Sequence, residues 1–195
     1  MGLGPDYSPG QTPLDEEEKL GLRISSIASK AELNELEQQN IEETLQWLQG
    51  KRFAIENVLN ETFLLTLHKR MFGKVWTWAG KFRTSQKNMG LHHSQIRPAL
   101  KQVCDDALVW QEHSVYPPEE MALRFKHRLV SIHCFANGNG RHSRLMADIL
   151  IHQVFQHPLF TWGLSLADKA RAEYLLAMKA ADRNSFEALL RFARS

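Results

Sequence analysis

The sequence is poor in the residues that staple a chain or anchor it in a membrane. Two cysteines, Cys104 and Cys134, occur in 195 residues, both in stretches with a helical apolar period, which argues against a disulfide framework or a cysteine-rich metal cluster. No apolar run approaches the roughly twenty residues that span a bilayer. Lysine plus arginine number 24 against 22 acids, a formal net charge of +2, so bulk charge makes no case for nucleic acid or an anionic surface. The start, Met1-Gly2-Leu3-Gly4-Pro5, has neither the basic nor the apolar region of a signal peptide, and the expected location is cytoplasmic.

What remains is 43% hydrophobic, enough for the core of one domain. Gly2 to Thr12 is rich in glycine and proline and reads as an irregular arm, with an acidic run from Asp15 to Glu18 after it. The expected division is an arm over 1–28 and a single domain over 29–195, its core from about residue 67. Ser29 with Glu32 makes a capping box, and Leu33, Leu36, Ile41, Leu45 and Leu48 carry a helix to about Gly50. Further helices are expected over Asn57 to Met71, Ala99 to His113, Pro118 to Ala136, Gly140 to Gln156, Leu166 to Ala181 and Ser185 to Ala193. Thr84 to Arg97 has polar, β-compatible ends around Asn88-Met89-Gly90 and predicts an irregular hairpin closed by Pro98. The class is all-α with a small β-hairpin. Two tryptophans near glycines, Trp76 and Trp78, read as core, and Arg83 has no assignment.

The chemistry concentrates in one run, His133-Cys134-Phe135-Ala136-Asn137-Gly138-Asn139-Gly140-Arg141-His142-Ser143-Arg144. Met121, Phe125, Leu129 and Ile132 before it, and Leu145, Ile149 and Leu150 after it, recur at helical spacing, so the run joins two buried amphipathic helices. Asn137-Gly138 is expected to end the first helix in a left-handed turn. Two glycines around Asn139 leave backbone N–H groups open at the start of the second helix, where the dipole favours an anion. Arg141 and Arg144 share a face in that first turn, a place that ordinarily disfavours cations. A bound polyphosphate would compensate, with N–H groups on one phosphate and guanidinium forks on the others. His133, one turn earlier, titrates near neutral pH and could take a proton from an attacking hydroxyl. A lone histidine here would read as an interior residue; together with Gly-Asn-Gly and two arginines it reads as a site. His127, His133 and His142 as zinc ligands have spacings that match no common site.

The run resembles the signature of the Fic family, H-x-F-x-[D/E]-G-N-G-R-x-x-R, at every fixed position except Asn137, where the family usually has an acid. Gly73 to Arg83 is similar to the family segment that precedes its flap, and the outline from Leu67 onward looks most like the subfamily called mobile mystery protein B. The resemblance implies a Fic-type helical bundle and transfer of AMP from ATP to a Ser, Thr or Tyr hydroxyl of a target protein. It implies His133 as general base, Phe135 as packing, and Gly138, Asn139 and Gly140 as the anion hole, with the Asn139 side chain on the α-phosphate. Arg141 and Arg144 would hold the β- and γ-phosphates. Cys134 stands where the family commonly has proline, which favours a packing role. Asn137 occupies the Mg²⁺ position, and a neutral amide suits a hard cation less well than a carboxylate does. Asp148 is expected to pair with Arg144, and His142 to face solvent or the nucleotide edge.

In that family the flap pairs with an extended segment of the target by β-augmentation, which here implies Thr84, Ser85, Gln86, Lys87 and Asn88. The family's inhibitory pattern, S/T-x-x-x-E-G/N, has no good copy; Thr12 to Glu16 has only the spacing. Control by a separate antitoxin-like partner is the expectation. The alternative to an enzyme is a regulatory or binding module, or a phosphotransferase-like variant, weakened by Asn137.

Overall fold

In the computed structural model, residues 15–24, 26–27, 29–164 and 169–195 are described. Local sequence sets most helix starts. Asp15 opens a single turn, α1 (Glu16–Lys19), with a reciprocal capping box to Glu18. Ser29 accepts from the Glu32 N–H at 3.1 Å and starts α2 (Lys30–Leu48), a cap worth about 1 kcal/mol. The helix expected over 57–71 is two helices, α3 (Ile55–Val58) and α4 (Glu61–Phe72), because Asn60 takes an extended conformation and caps the second through Phe63 N–H. Next come α5 (Ile96–Glu112), α6 (Pro118–Ile132), α7 (Asn139–Asp148), α8 (Ala170–Ala181) and α9 (Glu187–Arg194). Pro98 falls in the first turn of α5, where its missing N–H costs no helical bond. After α7 the chain continues as a π-turn, Ile149–Val154. The Gly2 to Thr12 arm and the Thr12 to Glu16 spacing fall wholly or mostly outside the described residues.

Helix α6 packs between α5 and α7, α2 lies on α4, and α8 on α9. Phe125, Leu129, Met146, Leu150 and Phe135 are buried in the common core. No helix among the described residues is long and apolar enough to cross a membrane.

Two expectations are corrected. The hairpin is absent: among the described residues the only β-pairing is an isolated antiparallel bridge between Leu22 and Trp76. Residues 84–92 form bends, because the ends of that loop bond to the His133 segment instead of to each other. Arg83 N–H donates to Cys134 O at 3.0 Å and Leu91 N–H to Ile132 O at 3.3 Å. In α2, the buried positions are Leu33, Glu37, Asn40, Thr44 and Leu48. Spacing is helical, but three of the five are polar, and Leu45 of the expected apolar stripe is exposed.

Two histidines lie in the core. His142 has Nε2 3.0 Å from Leu64 O, and burial lowers its pKa to about 4. It is neither at solvent nor at a nucleotide edge. His68 is fully buried, accepts from Gly80 N–H at Nδ1 (3.0 Å) and bonds Asn137 O through Nε2 (3.0 Å). Burial, followed by the charges of His142 and Arg141, holds its pKa well below the ordinary value. Both rings are neutral when folded and take a proton near pH 6.5 when unfolded, so the unfolded chain binds more protons. Their stabilisation is complete above about pH 6.5 and is withdrawn as pH falls toward 4, by at most about 3 kcal/mol for His142. The thermal midpoint followed by circular dichroism is expected to drop steadily from pH 6.5 to 4.5. A flat midpoint over that range would contradict neutral burial.

Candidate functional site

A cavity of about 790 Å³ opens between α2, the 133–141 segment and α8, and His133, Asn137 to Arg141 and Arg144 all line it. That size suits a nucleotide-sized ligand. Helix α6 ends at Ile132, earlier than expected, and His133 itself takes the left-handed conformation (φ 58°). For a non-glycine residue this is uncommon and is found where the surroundings dictate it. His133 is 4% exposed. Burial first, then the positive charges of Arg83 and Lys87, lower its pKa to about 4, against a backbone hydrogen bond with Val130 that raises it. At neutral pH the imidazole is therefore unprotonated and able to accept a proton.

Gly138 is left-handed (φ 78°) and caps α7, with no side chain on the first N–H groups. Glycine is required there twice over. A Cβ would lie 2.6 Å from the Phe72 ring, and the positive φ disfavours any side chain. At Gly140 a Cβ would meet nothing within 4 Å, so the first turn of α7 stands open toward the cavity. With the helix dipole behind it, this end of α7 favours an anion.

The Asn139 side chain does not face that seat. Its Oδ1 accepts from Phe135 N–H at 2.9 Å and one Nδ2 N–H donates to Phe135 O at 2.8 Å, so both ends of the amide brace the loop. The His68 ring stacks on Phe135, centroids 3.6 Å apart, and fixes the Asn137 carbonyl. Sequence reasoning gave His68 no role. Its only signal, a buried histidine one helix before two glycine-rich segments, is visible only in three dimensions.

Arg141 is committed. Its Nη1 lies 2.6 Å from Glu37 Oε2, and the other carboxylate oxygen of Glu37 accepts from the Trp76 indole N–H at 2.6 Å. Glu37 is 5% exposed. Its place in α2 carries Leu33 and Gln38 where the inhibitory pattern has Ser/Thr and Gly/Asn, so sequence gave no sign of an acid here. Arg144 makes no ion pair among the described residues; its guanidinium lies 5.9 Å from the Tyr174 ring. The expected Asp148–Arg144 pair is not formed: Asp148 accepts from the Trp162 indole at 3.0 Å, and burial raises its pKa to about 7.

Asn137 turns its Oδ1 onto Gly138 N–H at 2.6 Å. The described residues contain no group of three or more His, Cys, Asp or Glu placed for a metal. A neutral amide whose oxygen already accepts from Gly138 N–H suits Mg²⁺ less well than the carboxylate it replaces. Cys134 is buried, with a thiol pushed up to about 12 mainly by desolvation, which rules against a nucleophilic role at neutral pH.

Of the flap residues, Ser85 and Lys87 turn toward α1. Lys87 pairs with Asp15 and Glu18, and Ser85 Oγ lies 3.2 Å from Asp15 Oδ2. Thr84, Gln86 and Asn88 lie in the same irregular loop, with a bend at Asn88.

The Fic/DOC family model matches residues 58–151. That match takes in just under half of the chain. The protein adenylyltransferase Fic of Drosophila willistoni is 29% identical over 136 residues, covering 66% of this chain and 26% of that protein. Its Caenorhabditis briggsae counterpart is 28% identical over 134 residues, with 66% and 25% covered. The chain thus spans about a quarter of the length of the curated relatives it matches. The Fic fold is shared with the Fic domain of Bep8 from Bartonella sp. 1-1C, with a TM-score of 0.68, 14% identity and coverage of 87% and 88%. It is shared also with BepC of Bartonella tribocorum, solved with bound AMPPNP, at 0.63, 17% identity, 92% and 97%.

Proposed function

We propose that this Fic domain is a protein adenylyltransferase that moves AMP from ATP to a hydroxyl of a target protein. The observation that carries the reading is that a neutral, cavity-facing His133, the open N-terminus of α7, and Arg141 and Arg144 line one space. The adenylyltransferases among its relatives, and the bound AMPPNP in BepC, point the same way.

In this reading the acceptor hydroxyl oxygen attacks the α-phosphorus and its proton passes to the His133 imidazole. The bond from that phosphorus to the oxygen bridging to the β-phosphate breaks, and pyrophosphate leaves with the electron pair. The anionic tail raises the His133 pKa from about 4 toward the working range. Backbone N–H groups at 139–141 meet the charge that develops, and the arginines neutralise the leaving group. The target lies along 84–88 and is held through main chain, because Lys87 is engaged by α1.

Glu37 acts as a brake within the chain. The phosphate tail and the Glu37 carboxylate compete for the same Arg141 guanidinium, so productive binding requires that pair to open. Control by a separate antitoxin-like protein is a distinct proposal.

The reading is tested with ATP labelled at the α- or γ-phosphate and incubated with the chain and a cell lysate. Label from the α-position on a protein band, lost in His133→Ala, is expected. Label from the γ-position would make the chain a phosphotransferase. Measurable ATP binding with no label, whatever the divalent metal, would make it a regulatory module. Glu37→Gln is expected to raise ATP affinity by about tenfold, equivalent to ~1.4 kcal/mol, and to raise the labelling rate with it. A wild-type chain that already matches E37Q would favour control in trans.

A further inference from the structure

Arg83 has no place in the transfer chemistry described above, yet its side chain is buried at the junction of the two parts that must meet. Its Nε donates to His133 O at 2.6 Å, Nη1 to Ser85 O at 2.8 Å, and Nη2 to Leu91 O. One guanidinium thus reaches the residue that carries the imidazole and the carbonyls at both ends of the flap loop. The main chain repeats the bracket, through Arg83 N–H to Cys134 O and Leu91 N–H to Ile132 O. Between those bonds sits Gly90 (φ 91°), where a Cβ would come 2.4 Å from the His133 Cβ. Loop and histidine are in contact with no spare room.

The loop has no ladder of its own to hold its shape. Three carbonyls pointing in different directions call for a planar fork with several N–H groups, which arginine has and lysine lacks. The His133 carbonyl belongs to a left-handed residue, and the Arg83 Nε bond holds that backbone at the wall of the cavity that His133 lines.

We infer that Arg83 is the positioning residue of the transfer step, fixing His133 and both ends of the flap as one body so that a hydroxyl lying along the flap meets the imidazole at a set distance. The inference rests on the adenylyltransferase reading for its consequence, while the brace can be measured without it. Misplacement by about 1 Å between reacting groups can cost on the order of 100-fold in rate.

The test uses the full chain with Arg83→Lys, which keeps the charge, and separately Gly90→Ala, whose Cβ would come 2.4 Å from the His133 Cβ and 3.1 Å from Arg83 Nη2 and so forces the same junction apart from the loop side. In both, kcat/KM for a labelled target is expected to fall on the order of 100-fold. ATP affinity stays within about twofold in Arg83→Lys, since Arg83 does not line the cavity. Amide hydrogen exchange is expected to speed up over 84–91 and to stay unchanged in α7. Target labelling within threefold of wild type in either variant overturns the inference, as does a parallel loss of ATP affinity and α7 protection, which would mean general loosening. A wild-type chain that labels no target, with exchange over 84–91 still accelerated in R83K, overturns the transferase reading and leaves the brace in place.

Discussion

The ion pair between Glu37 and Arg141 is the constraint on which the rest of the site depends. It joins α2 to the first turn of α7, and the Trp76 indole locks the carboxylate from behind. Removing a charge from water without a partner costs several kcal/mol, so Glu37, buried as it is, needs both contacts. The pair also offsets a cation placed at the positive end of a helix, where it is otherwise disfavoured. A bound phosphate would compensate the same cation. In the proposed reading one guanidinium has two anionic partners to choose from, Glu37 inside the chain and a phosphate outside it.

Around this pair the loop from His133 to Gly138 is over-determined. Asn139 ties both ends of its amide to Phe135, His68 holds Asn137 O and stacks on Phe135, and Arg83 holds His133 O. Two left-handed residues, His133 and Gly138, are kept in place by these contacts. The result is an imidazole and a row of N–H groups set in advance toward the same cavity, which is what stabilising developing charge requires.

Much of this could be read from the residues. The helical periods on either side of the motif and the Ser29 cap placed the main helices, and the first glycine of the motif is the left-handed residue that starts α7. What escaped was set by contacts distant in sequence. Glu37 looked like one solvated acid among many because α2 turns a polar stripe inward, and only its partners Arg141 and Trp76 explain that. Asn139 carries a motif position, but whether its amide faces the ligand or the loop depends on Phe135 backbone groups four residues away. The hairpin expected over 84–97 failed because the main chain at the loop ends bonds to the His133 segment, and the Ser85 and Leu91 carbonyls are taken by the Arg83 side chain. His68 stood in the sequence with no role attached, and Arg83 closed a family-like segment with nothing to say what its side chain would hold.

The competition at Arg141 can be watched directly. In a ¹H–¹⁵N spectrum of the full chain, the Trp76 indole N–H reports on Glu37, and Arg141 Nε–H reports on the guanidinium. Titration with ATP is predicted to move both resonances together, along one binding curve, as the carboxylate gives way to phosphate. Saturable ATP binding that leaves the Trp76 and Arg141 signals where they were would contradict the account.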